Sequence, residues 1–183
     1  MKIEVGMQFP EFVVNTHLRD NVSLSEEFKK TSKTVLWVLR YVGCTVCRYD
    51  CHLINQNYSK FEDKDSQVLV VMQSDRQHVV NDLKTTDEKL AFEIICDPKQ
   101  TIYSQLEIKP ADTMEQLAGG RIDDLKVKGA AAKEVGFVHG DYEGNEQQLP
   151  AMFIVDTNGT VVYAHYATNI MDMPKVEEVL ELL

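Results

Sequence analysis

Residues 34–51 read Thr-Val-Leu-Trp-Val-Leu-Arg-Tyr-Val-Gly-Cys-Thr-Val-Cys-Arg-Tyr-Asp-Cys. Val35–Leu39 is continuously apolar and starts β-branched, the pattern of a strand buried on both faces of a parallel sheet. It leads to Cys44-Thr-Val-Cys47, where a helical pattern begins that lasts to about Lys60. Open α/β sheets place their ligands beyond the carboxyl ends of the strands. Two thiols at this turn therefore stand where such a fold does its chemistry.

The neighbouring segments extend the same architecture. Phe12–Asn15 reads as a short strand, and Ser23 with Glu26 forms a capping box for a short helix. Val68–Met72 repeats the buried-strand pattern. Ser74 and Gln77 form a second capping box, predicting a helix to about Leu83. Ile94-Ile95 is a short strand. Asp97-Pro98 supplies an N-cap and a first-turn proline for a helix through about Leu106. Phe153–Val155 and Val161–Ala164 flank Asp156-Thr-Asn-Gly-Thr160, a hairpin signal. Pro174 opens a last helix with Val176, Val179, Leu180 and Leu183 on one face. Residues 109–148 are poorest in pattern and predict one or two helices, then a loop through Gly144. The order predicts an α/β fold: a central mixed sheet, helices on both faces and a helical insert at about 109–148 before the terminal hairpin. At 183 residues one domain spanning 1–183 is expected.

Composition narrows the function. A net charge of −10 opposes binding to nucleic acid or to anionic membranes, which require cationic surfaces. No apolar stretch approaches the ~18 residues of a membrane span. The opening Met1–Pro10 lacks the apolar core of an export signal. Four cysteines without such a signal point to the reducing cytoplasm. In that compartment Cys-x-x-Cys reads as catalytic or metal-binding.

The dithiol reading makes Cys44 the attacking thiol and Cys47 the resolving one. The unpaired N–H groups at a helix N-terminus favour a thiolate, and three-residue spacing lets the two sulfurs pair. Arg40, just upstream, adds a cation that favours ionisation if it is close. A metal-binding module would instead use Cys44, Cys47 and Cys51 with Cys96 or His52, but zinc sites usually need a second ligand pair elsewhere. Cys51 shares a helical stripe with Cys47, Ile54 and Tyr58, so core packing is its simpler role. Burial is likewise the default for Cys96, and an exposed position for His52. A non-catalytic interaction domain would retain the fold and leave Cys44 with an ordinary pKa.

Several segments together resemble the alkyl hydroperoxide reductase/thiol-specific antioxidant (AhpC/TSA) family of peroxiredoxin-like proteins, within the thioredoxin-fold superfamily. They are Gly6–Phe12, Val22–Ser25, Arg40–Arg48, Cys96–Pro98, Gly140–Gly144 with Gln148-Leu149, and Phe153–Gly159. The resemblance implies a thioredoxin-like fold with an N-terminal extension. It implies an antioxidant thiol oxidoreductase that needs no cofactor and reduces a peroxide, or alternatively a protein disulfide. A thioredoxin-like or small-thiol partner would supply electrons, and a homodimer is compatible with it. It also places Pro150 where thioredoxin-fold proteins carry a substrate-positioning cis-proline. The chain departs from typical peroxiredoxins, which carry Pro and Thr seven and three residues before the peroxidatic cysteine. Aligning Cys47 with that cysteine puts Arg40 and Cys44 at those positions. Aligning Cys44 puts Tyr41 at the Thr position.

Overall fold

A computed structural model describes residues 1–183. The chain runs β1 (Val13–Thr16), β2 (Val22–Ser23), α1 (Leu24–Phe28), β3 (Lys33–Val38), α2 (Thr45–Gln56), α3 (Tyr58–Glu62), β4 (Ser66–Met72), α4 (Arg76–Thr86) and β5 (Glu93–Cys96). It continues with α5 (Thr101–Gln105), α6 (Met114–Ala118), α7 (Ile122–Glu134), β6 (Ala151–Asp156), β7 (Val161–Tyr166) and α8 (Val176–Glu181). The strands form one seven-stranded sheet ordered β2-β1-β5-β4-β3-β6-β7. The central β5-β4-β3 strands are parallel, and β6 lies antiparallel to β3 with Val38 opposite Ala151. The mixed sheet expected from the sequence is present.

Alternation along β3 explains why helices cover both faces. Val35 and Trp37, with Leu39 just beyond, point to one side, where Cys47, Cys51, Ile54, Val79, Val176 and Val179 pack. Leu36 and Val38 point to the other, against Phe9, Phe12, Phe28, Ile102 and Tyr103. Each large apolar side chain buried this way contributes roughly 1.5–3 kcal/mol. The parallel centre leaves the carboxyl ends of β3, β4 and β5 at one edge, where the Cys44 turn begins.

Local chemistry shifts several predicted boundaries. Ser23 caps α1 as expected, accepting from Glu26 N. Asp75, not Ser74, caps α4, accepting from His78 N at 2.9 Å. The buried Ser74 hydroxyl instead accepts from Val42 N at 2.8 Å, tying β4's exit to the cysteine turn. Gln100, not Asp97, is the N-cap of α5, and Pro98 lies before the helix; the Asp97 carboxylate reaches forward to accept from the N–H groups of Thr101 and Ile102. Asn57 interrupts the helix expected to reach Lys60, dividing it into α2 and α3. The insert holds two helices, α6 and α7, and its ends meet through Ala111 N to Gln147 O at 2.8 Å.

The cis bond expected at Pro150 is absent: every peptide bond is trans. A trans X-Pro bond is the lower-energy isomer by about 0.5–1 kcal/mol. Here the trans chain runs directly into β6, and the Pro150 carbonyl accepts from Ala167 N at 3.1 Å.

Arg48 fastens α2 to α4. It is only 2% exposed, with Nε 2.5 Å from Asp82 Oδ1 and Nη2 donating to Thr86 Oγ1 at 3.0 Å. Nη1 lies 2.7 Å from Glu88 Oε1 but off the hydrogen-bonding line, so that contact is Coulombic. Its guanidinium also covers the Phe137 ring at 4.5 Å, which brings the insert into the same contact. Removing one partner of a buried pair strands the others, so Arg48→Ala should cost about 3 kcal/mol in urea unfolding. A loss below about 1 kcal/mol would show that the network carries no stability.

Candidate active site

Cys44 is the N-cap of α2, and its carbonyl accepts from Arg48 N at 2.9 Å. Cys47 falls on the first turn, and both thiols are buried and free. Arg40, also buried, donates from Nη1 to Cys44 Sγ at 3.4 Å. Its Nη2 donates to the Glu146 carbonyl in the insert. Its guanidinium also lies 5.1 Å from the Tyr41 ring centre. On the backbone, Gln73 N donates to Arg40 O at 2.8 Å, joining the turn to the end of β4.

The two thiols are electrostatically unequal. Burial opposes a Cys44 thiolate, but a hydrogen bond from Cys47, the charge of Arg40 and the Cys47 backbone N–H outweigh it, lowering the pKa to about 7. That N–H assists without forming a full capping hydrogen bond. Burial pushes the Cys47 thiol well above its ordinary value, and the neighbouring Cys44 adds to the rise. Of the two thiols Cys44 therefore ionises first, and near neutral pH a substantial part of it is thiolate beside a protonated Cys47.

The other candidates separate from this pair. Cys51 is fully buried in the core, and burial raises its thiol to about 12. Cys96, at the end of β5, is half-buried and raised to about 12 for the same first reason. His52 is not exposed as expected; its Nδ1 lies 2.5 Å from Glu88 Oε2 and its ring meets the edge of Phe137. The thiols and His52 do not converge into a set of metal ligands. Pro150 is buried next to β6 at the same end of the sheet, but it lines a separate depression with Leu149, Ile108 and Tyr166.

Sequence reasoning missed how the insert meets the site. Gly140 N donates to Gly43 O at 2.8 Å, and a Cβ on Gly43 would stand 2.4 Å from Asp141 O. Tyr41 Oη and His139 Nε2 are 3.3 Å apart, and the Tyr142 ring packs on both side chains. Farther along α2, Lys128 of α7 pairs with Asp50 at 2.6 Å. The only sequence signal for the loop contact was Gly43 itself, next to the first cysteine.

The fold, with its cysteines beyond the central strand, is that of a peroxiredoxin-like thiol oxidoreductase. The chain belongs to the AhpC/TSA family, whose model matches residues 5–164. Among solved structures it is similar to a yeast mitochondrial 1-Cys peroxiredoxin, with a TM-score of 0.67, 12% identity, and 97% of this chain and 73% of that one covered. A Plasmodium vivax 2-Cys peroxiredoxin in its reduced form gives 0.66 at 15% identity, covering 97% and 93%. A peroxiredoxin-like protein from Aquifex aeolicus gives 0.66 at 16% identity, covering 100% and 90%. No curated protein sequence matches the chain significantly. No helix is long and apolar enough to cross a membrane.

Arg40→Met removes the cation while keeping much of the side chain's bulk. The Cys44 pKa should rise by about one to two units, read from thiolate ultraviolet absorbance against pH. Because the native value is lowered, thiolate is present above it and is lost as pH falls through it. An unchanged midpoint would remove Arg40 from the site's electrostatics.

Proposed function

We propose that the protein is a dithiol peroxidase in which Cys44 attacks and Cys47 resolves. The observation that carries this reading is the buried Arg40 guanidinium 3.4 Å from Cys44 Sγ, beside a Cys47 that stays protonated. The Cys44 thiolate attacks the terminal oxygen of a hydroperoxide. The O–O bond breaks, Cys44 becomes a sulfenic acid, and the departing alkoxide or hydroxide takes up a proton. Cys47 then loses its proton and attacks the Cys44 sulfur, releasing water and leaving a Cys44–Cys47 disulfide. A thioredoxin-like or small-thiol partner returns two electrons and two protons. No bound cofactor enters this cycle.

Arg40 holds the thiolate and presents positive charge where the breaking peroxide bond gathers negative charge. We do not extend the site to Pro150, which lines the separate depression with Leu149, Ile108 and Tyr166. The four free cysteines favour a reducing compartment, the cytoplasm. Disulfide reduction is the second reading, favoured by the low Cys44 and high Cys47 pKa values, which suit thiol exchange equally well.

Peroxide consumption and insulin disulfide reduction should be measured side by side on the wild type, Cys44→Ser and Cys47→Ser. Cys44→Ser should lose essentially all peroxide consumption. Cys47→Ser should complete one turnover and accumulate sulfenic acid at Cys44, detectable by dimedone labelling and mass spectrometry. Label on Cys47 in the Cys44→Ser protein, with turnover retained, would reverse the assignment. Efficient insulin reduction without peroxide consumption would establish the second reading.

A further inference from the structure

Cys44 is only 2% exposed, and the turn carrying it lies beneath the end of the insert. Residues 139–146 cross residues 40–43 through Gly140 on Gly43, His139 and Tyr142 on Tyr41, and Glu146 on Arg40. The segment therefore covers the turn that carries the sulfur and touches Arg40, the cation beside it. Its far side meets the start of α4 at one imidazole and one backbone amide, and Asn145 N donates to Gln73 Oε1 at 2.9 Å just beyond. His78 Nδ1 lies 2.9 Å from Glu143 Oε2 and 3.0 Å from Asp75 Oδ2, while Nε2 lies 3.7 Å from Asp141 Oδ2.

We propose that His78 is a proton-operated clasp: its imidazolium holds residues 139–143 across the Cys44 turn, and loss of its proton loosens them and opens the thiol. The clasp rests on the reading of Cys44 as the attacking thiol. Three carboxylates from two chain segments surround one ring, and a neutral imidazole has only one N–H to share among them. Once His78 is neutral, Asp141 and Glu143 on the loop face Asp75 on the helix with no cation between them. Glu143 keeps one neutral tether, accepting from Asp75 N at 3.0 Å, so the segment loosens rather than detaches.

The other charged groups nearby do not replace the imidazolium. Arg76, on the same helix, is directed away into Asp20 and the carbonyls of Thr16 and Arg19. Cys96, on β5, holds its proton to about 12 and is neutral throughout. Partial burial disfavours the imidazolium, but Glu143, Asp75 and Asp141 outweigh it and raise the His78 pKa. A raised pKa means that the clasped form is favoured at low pH and is lost as pH rises through that pKa.

The test follows two readouts from about pH 6 to about pH 8, where histidine titrates. One is hydrogen exchange of the Gly140 amide, corrected for intrinsic base catalysis. The other is the rate of iodoacetamide alkylation at Cys44, mapped by mass spectrometry and divided by the thiolate fraction measured separately. In the wild type Gly140 protection should fall by about two- to fivefold, the range of an exposed ion pair, and the per-thiolate rate should rise by a similar factor. His78→Gln should make both readouts independent of pH, at the open-loop level, and Glu143→Gln, which leaves the imidazolium only the 3.7 Å contact to Asp141 on the loop, should reduce the pH dependence. Wild-type Gly140 protection that ignores pH, or the same pH dependence in His78→Gln, overturns the clasp. An unreactive Cys44 above a Gly140 that responds to pH only in the wild type would sink the attacking-thiol assignment and support the clasp.

Discussion

A buried guanidinium without a carboxylate partner organises the end of this sheet. Arg40 makes no ion pair with any acidic side chain, its Nε has no hydrogen-bond partner, and its cationic face meets Cys44 Sγ, the Tyr41 ring and a backbone carbonyl. Burying a charge costs several kcal/mol unless an opposite charge or hydrogen bonds offset it. The anion this site can form in direct contact with Arg40 is the Cys44 thiolate. The sheet supplies the rigidity for this, since Gln73 at the end of β4 holds the Arg40 carbonyl and Ser74 holds the Val42 N–H.

Arg48, eight residues on, shows the contrast. It too is buried, but Asp82 and Glu88 neutralise it and Thr86 takes a further donor. One arginine is thus satisfied by carboxylates and fixes helix to helix. The other is left for sulfur. The same division separates the cysteines: Cys44 has an adjacent cation and a neighbouring thiol that donates to it, whereas burial dominates at Cys51 and raises its thiol to about 12.

The parts legible in the sequence were those set by short-range pattern. The runs at Val35–Leu39 and Val68–Met72 became the central parallel strands, and the turn after the first of them carries Cys44. What stayed hidden depended on contacts far apart in the chain. Ser74 looked like a helix cap until Val42, thirty-two positions away, claimed its hydroxyl. His52 looked exposed and nothing marked Arg48 as buried, yet Asp82, Glu88 and Phe137 enclose them. Residues 109–148 have weak periodicity because α7 buries little beyond Ala132, so its pattern gave no hint that the loop after it would lie over Gly43.

The family resemblance allowed two registers, and the electrostatics favour one of them. If Cys47 occupied the attacking position, its thiol would have to ionise where burial and the neighbouring Cys44 both resist it. If Cys44 attacks, the required anion forms where Arg40 and the Cys47 thiol already stabilise it. The same proton inventory serves the second step. In the proposed cycle the Cys44 sulfenic acid carries no negative charge, which removes one cause of the high Cys47 pKa. Cys47 then ionises more readily at the moment when it must attack. In this register Arg40 stands four residues before the attacking sulfur, and its charge supplies thiolate stabilisation at a site where Tyr41 replaces the usual threonine.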